Sequence, residues 1–442
     1  MKIAATRRVY ALGVTLLVAL SVCSRHFGDR GGLFFMAALT IAGIAYLLAM
    51  REFFRSPEFP RKVLVFGLVF AAVWHVEFLR LPAGSDDDVH RYVWDGRLQR
   101  LGYNPYLVIP SDPAVSGLHT SETLSLNNPD FPTPYPAGAQ MFFRAVTAIH
   151  ESTLAFKAAF VICDWAIAFL LLDLLRRTGQ GTHLVLAYAW NPLLAIEVAG
   201  SGHIDIVGAL LLVLSAAAVA RRWRAAAAVA LALAISVKFL PLVLLPLYWR
   251  RVRFRDAALA IAMVALLYVP FLHQGHISIG SLGTYVQTFR FNGPVFAALH
   301  QRVAPQLLTA IAVLFGLGTA VYLRRTRHDF CSDAFAWPMA ASLFCAPAVF
   351  PWYLLWLLPF LTRPATILLG VWTVSITSVY IMWHLRSLTG VWGSLPVWVM
   401  VVEYGCVAVA GAVLIIRPLM RRTIEDSRHG TEARLGDDPT TI

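Results

Sequence analysis

Acidic side chains are scarce in this chain: 25 Asp and Glu stand against 37 Lys and Arg in 442 residues, for a formal net charge of +12. Charged residues of both signs make up only 14% of it, while 58% is hydrophobic. Soluble domains average about 25% charged residues, so most of this chain belongs in lipid rather than around a water-facing core. Lysine is rarer still: only Lys2, Lys62, Lys157 and Lys238 are present. Cysteine is sparse as well. Cys23, Cys163, Cys331, Cys345 and Cys406 lie in or beside apolar stretches with no CxxC spacing, which leaves a metal or disulfide framework without its residues. The abundant cations cluster in short loops between apolar spans. That is the pattern of topology determinants, and no nucleic-acid partner is expected.

Apolar segments fall at about 9–24, 32–50, 63–80, 154–175, 183–199, 204–220, 225–249, 256–272, 304–323, 335–362, 364–384 and 396–416. The basic N-terminus and first apolar stretch have the shape of a signal peptide, but the next span follows closely, so a retained first transmembrane helix is expected. Segments 225–249 and 335–362 are basic at both ends, and each is interrupted by proline: Pro241 just after Lys238, and Pro347 and Pro351. Under the positive-inside rule both ends of each segment lie in the cytoplasm, so each is expected to be a hairpin of two short helices. An arm of about 13 residues rises ~20 Å against a hydrocarbon core of ~30 Å, so the tips stop short of the far surface, in a protein-lined cavity.

The expected fold is therefore an all-α polytopic membrane protein of about 12–14 membrane helices, short hairpins included, with both termini cytoplasmic. Residues 1–416 form a single transmembrane domain, and the polar tail 417–442 is expected to be disordered and cytoplasmic. Two substantial loops face the outer side. The first, 81–152, carries interfacial helices at about 88–101 and 136–149; the second, 273–303, holds Arg290, Asn292 and three histidines. Function is expected on that side.

Asp86, Asp87 and Asp88 follow an apolar span directly. Adjacent carboxylates repel, so they must be solvated, paired or tuned, and ionisable groups at the mouth of a membrane helix mark candidate sites. Asp88, Arg91, Tyr92 and Asp95 stand at i, i+3, i+4, i+7 and share one helical face. The full run reads Asp-Asp-x-x-Arg-Tyr-x-Trp-Asp-Gly over 87–96, then Gly-x-Asn-Pro-Tyr over 102–106. Further along come Tyr188-Ala-Trp-Asn-Pro-Leu193 with Glu197, Gly200-Ser-Gly-His-Ile-Asp205, Val237-Lys238, Phe291-Asn-Gly293 and Pro351-Trp-Tyr-Leu-Leu-Trp-Leu-Leu-Pro359.

Together, over roughly residues 60–365, these runs resemble GT-C fold glycosyltransferases that use polyprenyl-phosphate sugars, notably bacterial mannosyltransferase-like proteins near glycosyltransferase family 87. The chain departs from the commoner loop pattern in its third aspartate and in His90. The resemblance implies a GT-C-like bundle in the inner membrane. It also implies inverting transfer of a hexose, mannose first, from a polyprenyl-phosphate donor to a hydroxyl of a lipid-linked or glycan acceptor on the outer face, with no covalent intermediate. No cofactor and no metal are expected.

Such a transfer needs a general base for the acceptor and cationic groups for the departing phosphate. Asp88 is the first choice as base and Asp87 the second. Lys238 is the first choice for the phosphate, because an ammonium in an apolar segment costs about 2.5–3.5 kcal/mol on insertion scales and calls for a partner; Arg91 and Arg290 follow. His203, Asp205, Asn292, Trp352 and Tyr353 are the candidate sugar and acceptor contacts. The competing reading is a lipid or glycoconjugate transporter or flippase, to which broken helices and a buried lysine are also natural. The polar residues concentrate on one side and the spans show no internal repeat, which favours the enzyme.

Overall fold

The computed structural model describes residues 2–84, 87–326 and 332–435, so Asp86 of the triplet and residues 436–442 of the tail lie outside it. Helices α1 (Lys2–Arg25), α2 (Leu33–Arg55) and α3 (Arg61–Leu79) lead into the first long loop, which holds α4 (Val89–Arg100) and α5 (Ala137–Ile149). Then come α6 (Thr153–Arg177), the short α7 (Leu186–Ala189), α8 (Asp205–Ala220), α9 (Arg224–Val237) and α10 (Phe254–Tyr268). The second loop carries a small strand pair, Leu272–His273 against His276–Ile277, followed by α11 (Leu282–Thr288) and α12 (Pro294–Leu299). The chain ends with α13 (Pro305–Thr326), α14 (Ala336–Cys345), α15 (Ile367–Ser375), α16 (Ile381–Thr389) and α17 (Val397–Leu435). The last helix continues through 417–435, where the sequence led to an expectation of disorder.

Among the described residues, eight helical segments are long and apolar enough to cross a membrane, and α9 and α14 are shorter apolar helices. One further apolar pair is sharply bent: a π-helical stretch, Leu194–Gly200, meets α8 at 113°, the geometry of a broken span or a re-entrant loop. The expected interfacial helices are α4 and α5, packed on each other; a β-carbon on Gly96 would run into the Phe143 carbonyl.

Both interrupted segments are hairpins. In the first, α9 ends at Lys238 and a 3₁₀ helix, Leu240–Tyr248, runs back. Ser215 of α8 donates to the Ala227 carbonyl on one arm and shares a 2.5 Å hydrogen bond with the Tyr248 hydroxyl on the other, so the arms return to one level. In the second, α14 is followed by a turn and two 3₁₀ helices, Pro351–Trp356 and Leu358–Phe360, and Phe335 stacks on Phe360 across the base. The prolines at these tips remove donors that an uninterrupted helix would need, which forces the break.

Ion pairs between distant loops fix which ends share a side. Arg30 between α1 and α2 reaches Asp87, and His384 of α16 reaches Asp29. At the opposite ends, Arg8 pairs with Glu52, Arg221 with Asp173, and Arg324 donates to the Trp249 carbonyl. Both hairpin tips point to the side of the two long loops. Close packing at the tips depends on Gly208 of α8, where any β-carbon would overlap the Trp356 indole. Gly208→Val should therefore displace that ring and destabilise the fold by about 1–3 kcal/mol, seen as a lower melting temperature in detergent. Gly318→Ala, with open space around it, should not. Equal melting temperatures for Gly208→Val and wild type would show that the indole is not held as described.

Candidate active site

The loops and hairpin tips enclose a cavity of about 890 Å³. Asp88, Arg91 and Tyr135 line one wall, Lys238 and Phe239 the tip of the first hairpin, and Ser281, Tyr285, Phe289 and Arg290 the second loop. Ala346, Phe350, Trp352, Tyr353 and Trp356 come from the second hairpin, and Trp383, Arg386 and Trp392 from the chain after α15. The lining is rich in aromatic rings, with cations from four separate elements.

Of the ten residues chosen from sequence, Asp88, Arg91, Lys238, Arg290, Trp352 and Tyr353 line this cavity. Two carboxylates line it: the exposed Asp130 at its rim and Asp88, which other side chains of the loop hold in place. Asp88 Oδ1 accepts from Asn127 at 2.6 Å and Oδ2 from the Tyr135 hydroxyl at 2.8 Å, and the side chain keeps 21% of its exposure. Burial, and then the charge of Asp88, push the Tyr135 phenol well above its ordinary value, so it stays a donor. Arg91 is buried, its Nη2 shared by the Asn127, Asn128 and Phe131 carbonyls, while Nη1 has no hydrogen-bond partner. Lys238 donates to Asp205 Oδ1 at 2.8 Å and lies 3.8 Å over the Tyr353 ring. Arg290 folds back on carbonyls of its own loop and over the Phe296 ring.

Four of the ten lie elsewhere. Asp87, one residue from Asp88, turns the other way: the buried Arg30 Nη2 is 2.9 Å away, and the half-buried Gly84 N–H donates to it at 2.6 Å. Asp205 is taken up by Lys238 and by Trp356 Nε1 at 2.7 Å, so it holds protein groups instead of presenting an oxygen to the cavity. His203 is buried behind Trp352, and its Nδ1 lies 3.8 Å from Asp88 Oδ2. Asn292 is turned away, its amide donating to the buried Glu403 at 2.8 Å. Its left-handed backbone, φ 56°, aims the side chain at α17.

Trp352 also departs from the sugar-stacking expectation. His203 and Phe350 stack on it at 4.0 and 4.6 Å, so its ring surface is largely engaged by protein. Tyr285, Tyr135 and Asn127 were missed in the sequence. Only the Pro-Tyr-Pro context of Tyr135, between Pro134 and Pro136, marked a rigid turn there. Among the described residues, no group of three His, Cys, Asp or Glu side chains is placed to hold a metal ion.

Fold and site together define a multi-pass membrane protein whose cavity, at one end of the bundle, opposes a carboxylate to several cations. The chain belongs to the alpha-(1->6)-mannopyranosyltransferase family: the model of that family's N-terminal domain matches residues 5–252. It is a glycosyltransferase of the mannosyltransferase type. No curated protein matches it. A solved structure, ArnT from Cupriavidus metallidurans bound to undecaprenyl phosphate, is similar at 15% identity and a TM-score of 0.44, over 81% of this chain and 72% of that one.

A charge near the site makes a separate prediction. Burial pushes the Asp95 carboxyl from 3.8 up to about 6, against the opposing pull of Arg91 and the Gln140 amide. Between those values the folded protein keeps a proton that the unfolded chain has released, so this contribution to stability is full below pH 3.8 and is lost as pH rises through about 6. The melting temperature of Asp95→Asn relative to wild type should therefore climb from about pH 4 to about pH 7. A difference that stays constant over that range would contradict the assignment.

Proposed function

We propose that the protein transfers a hexose, mannose first, from a polyprenyl-phosphate sugar to a hydroxyl of a lipid-linked or glycan acceptor, with inversion and with Asp88 as general base. The observation that carries this reading is the placement of Asp88. It is a partly exposed carboxylate in a cavity wall of a mannosyltransferase-family chain, across from cations on other elements. Asp88 takes the acceptor proton while the hydroxyl oxygen bonds to the anomeric carbon, and the bond from that carbon to the phosphate oxygen breaks with its electron pair on the phosphate. Lys238, Arg91 and Arg290 meet the charge that develops there, in a setting with little water. Arg91 lies in the same wall as Asp88, its guanidinium fixed by the Asn127, Asn128 and Phe131 carbonyls, which holds its charge near the site without a free side-chain search.

The polyprenyl class of donor rests on the loop motifs and on the aromatic lining beside the bilayer, where an isoprenoid chain would lie against Phe239, Tyr285 and Phe289. Asp87 is the weaker candidate for the base because Arg30 already holds it.

Purified protein given a panel of labelled polyprenyl-phosphate hexoses should transfer one of them. Asp88→Asn should lower kcat by ~100-fold or more with little change in melting temperature. Asp87→Asn should instead lower the melting temperature, because it leaves the Arg30 charge buried. Transfer at the wild-type rate by Asp88→Asn would end the assignment.

On the basis of the basic loops we also place the cavity on the outer face. A cysteine at Asp112, in a background without other reactive thiols, should label with an impermeant maleimide added to intact cells, and one at Arg253 should not. The reverse pattern would overturn that orientation.

A further inference from the structure

The π-helical stretch Leu194–Gly200 ends at Ser201, and Gly202 at φ 77° folds the chain back so that the His203 N–H donates to the Glu197 carbonyl at 2.9 Å. The same bend brings their side chains together. His203 Nε2 lies 3.0 Å from Glu197 Oε2, and the two residues are 2% and 1% exposed. Trp352 stacks flat on the imidazole at 4.0 Å and 8°, which fixes its plane, and Tyr380 donates its hydroxyl to the other Glu197 oxygen. The Glu197 Oε2 contact is a close charge contact outside hydrogen-bond geometry, and the remaining ring nitrogen, Nδ1, also has no hydrogen-bond partner and lies 3.8 Å from Asp88 Oδ2. A buried ring nitrogen left open in this way costs stability unless it has work to do. Insertions of π-helix are frequent where a chain must aim a side chain at a functional site.

We propose that His203, held by Glu197, is a positioning residue for Asp88 and the next stop for its proton. This rests on Asp88 being the base. When Asp88 has taken the proton of the acceptor hydroxyl, the carboxyl turns through the gap toward Nδ1 and passes that proton on; no electrons are exchanged. The imidazolium that results is stabilised by the Glu197 carboxylate, and Asp88 is returned to its basic form. The proton leaves to water by the reverse movement, through the cavity, after the sugar product has gone.

Other charged and titratable groups face this ring. Asp87 adds a further negative charge, and Arg30 beside it offsets both Asp87 and Glu197. The Tyr92 hydroxyl meets the neighbouring Ile204 N–H. Lys157 lies under Gly202 with its ammonium on the Phe78 and Leu81 carbonyls, and Asp205 is neutralised by Lys238. Burial of the ring works against a standing charge on it, and the surrounding carboxylates stabilise the imidazolium once the proton arrives.

The test measures kcat and donor KM from pH 5 to 9 with full-length protein and the donor that the wild type uses, for Glu197→Gln, Glu197→Asp and His203→Gln. Without the carboxylate the imidazolium is less stable, so in Glu197→Gln the acidic limb of kcat should move to lower pH by about one unit or more. Its kcat should fall on the order of 10- to 100-fold, with donor KM unchanged. Glu197→Asp should restore the limb, and His203→Gln should lose it. A pair that merely braced the bend would change melting temperature and leave the limb where it was; an unmoved limb in Glu197→Gln, or a wild-type kcat in His203→Gln, therefore overturns the proposal. If Glu197→Gln does not fold, His203→Gln carries the decision. A wild type that transfers no sugar refutes the base assignment itself, whereas an active wild type with an unmoved limb refutes only the role of His203.

Discussion

One oxygen atom joins the two hairpins. Asp205 Oδ1, at the start of α8, accepts from Lys238 Nζ at the first tip and from Trp356 Nε1 in the second. A carboxylate this deeply buried is costly by itself, and so is an ammonium in an apolar hairpin; together, at a helix N-terminus, each removes the other's penalty. The value of the pair lies in geometry more than in net stability, because removing either member strands the other. Gly208, one turn along α8, leaves the space the indole needs to reach that oxygen. From this tie the cavity follows. Lys238 is carried over the Tyr353 ring, Tyr353 meets the Tyr285 hydroxyl at 2.6 Å, and the second loop is drawn across the opening.

The neighbouring aspartates divide their work by facing opposite ways from one turn of chain. Asp87 goes inward to Arg30, which also donates to Ser201 at the π-helical bend. One guanidinium thus fixes the start of the first long loop to the turn that carries His203. Asp88, at the head of α4, is left at the cavity wall, steered by Asn127 and Tyr135 from the far end of the same loop. Asp87 and Asp88 can stand side by side because they do not share a site: one is neutralised in the core and the other is kept at the surface of a cavity.

Much of the fold was legible because lipid imposes strict rules on sequence. Basic residues at both ends of an apolar segment, with a proline inside it, leave few structures besides a hairpin, and both hairpins are present. Lys238 stood out for the same reason, as a charge where the solvent offers no partner. The errors concern direction. Asn292 sits in a loop motif beside the site, but the group that captures its amide is Glu403, 111 residues later, and no local spacing announces that contact. Arg30 and Asp87 meet across two helices in the same manner. Trp352, a candidate sugar contact, is stacked on one side by the nearby Phe350 and on the other by His203, which only the bend before α8 brings there.

The family match ends at residue 252, within the loop after the first hairpin, yet the cavity does not end there. Asp88, Arg91 and Lys238 come from the matched part, while Tyr285, Arg290, Tyr353 and Arg386 come from beyond it. Were the matched part an active site complete in itself, its buried charges would be satisfied within it. They are not: Asp205 takes an indole from Trp356, and Glu197 takes the hydroxyl of Tyr380. Both carboxylates are nearly inaccessible, so neither would find water as a substitute. The second half of the chain is thus required to make the first half's charges tolerable, and the price of that dependence is that the cavity exists only when both are folded together.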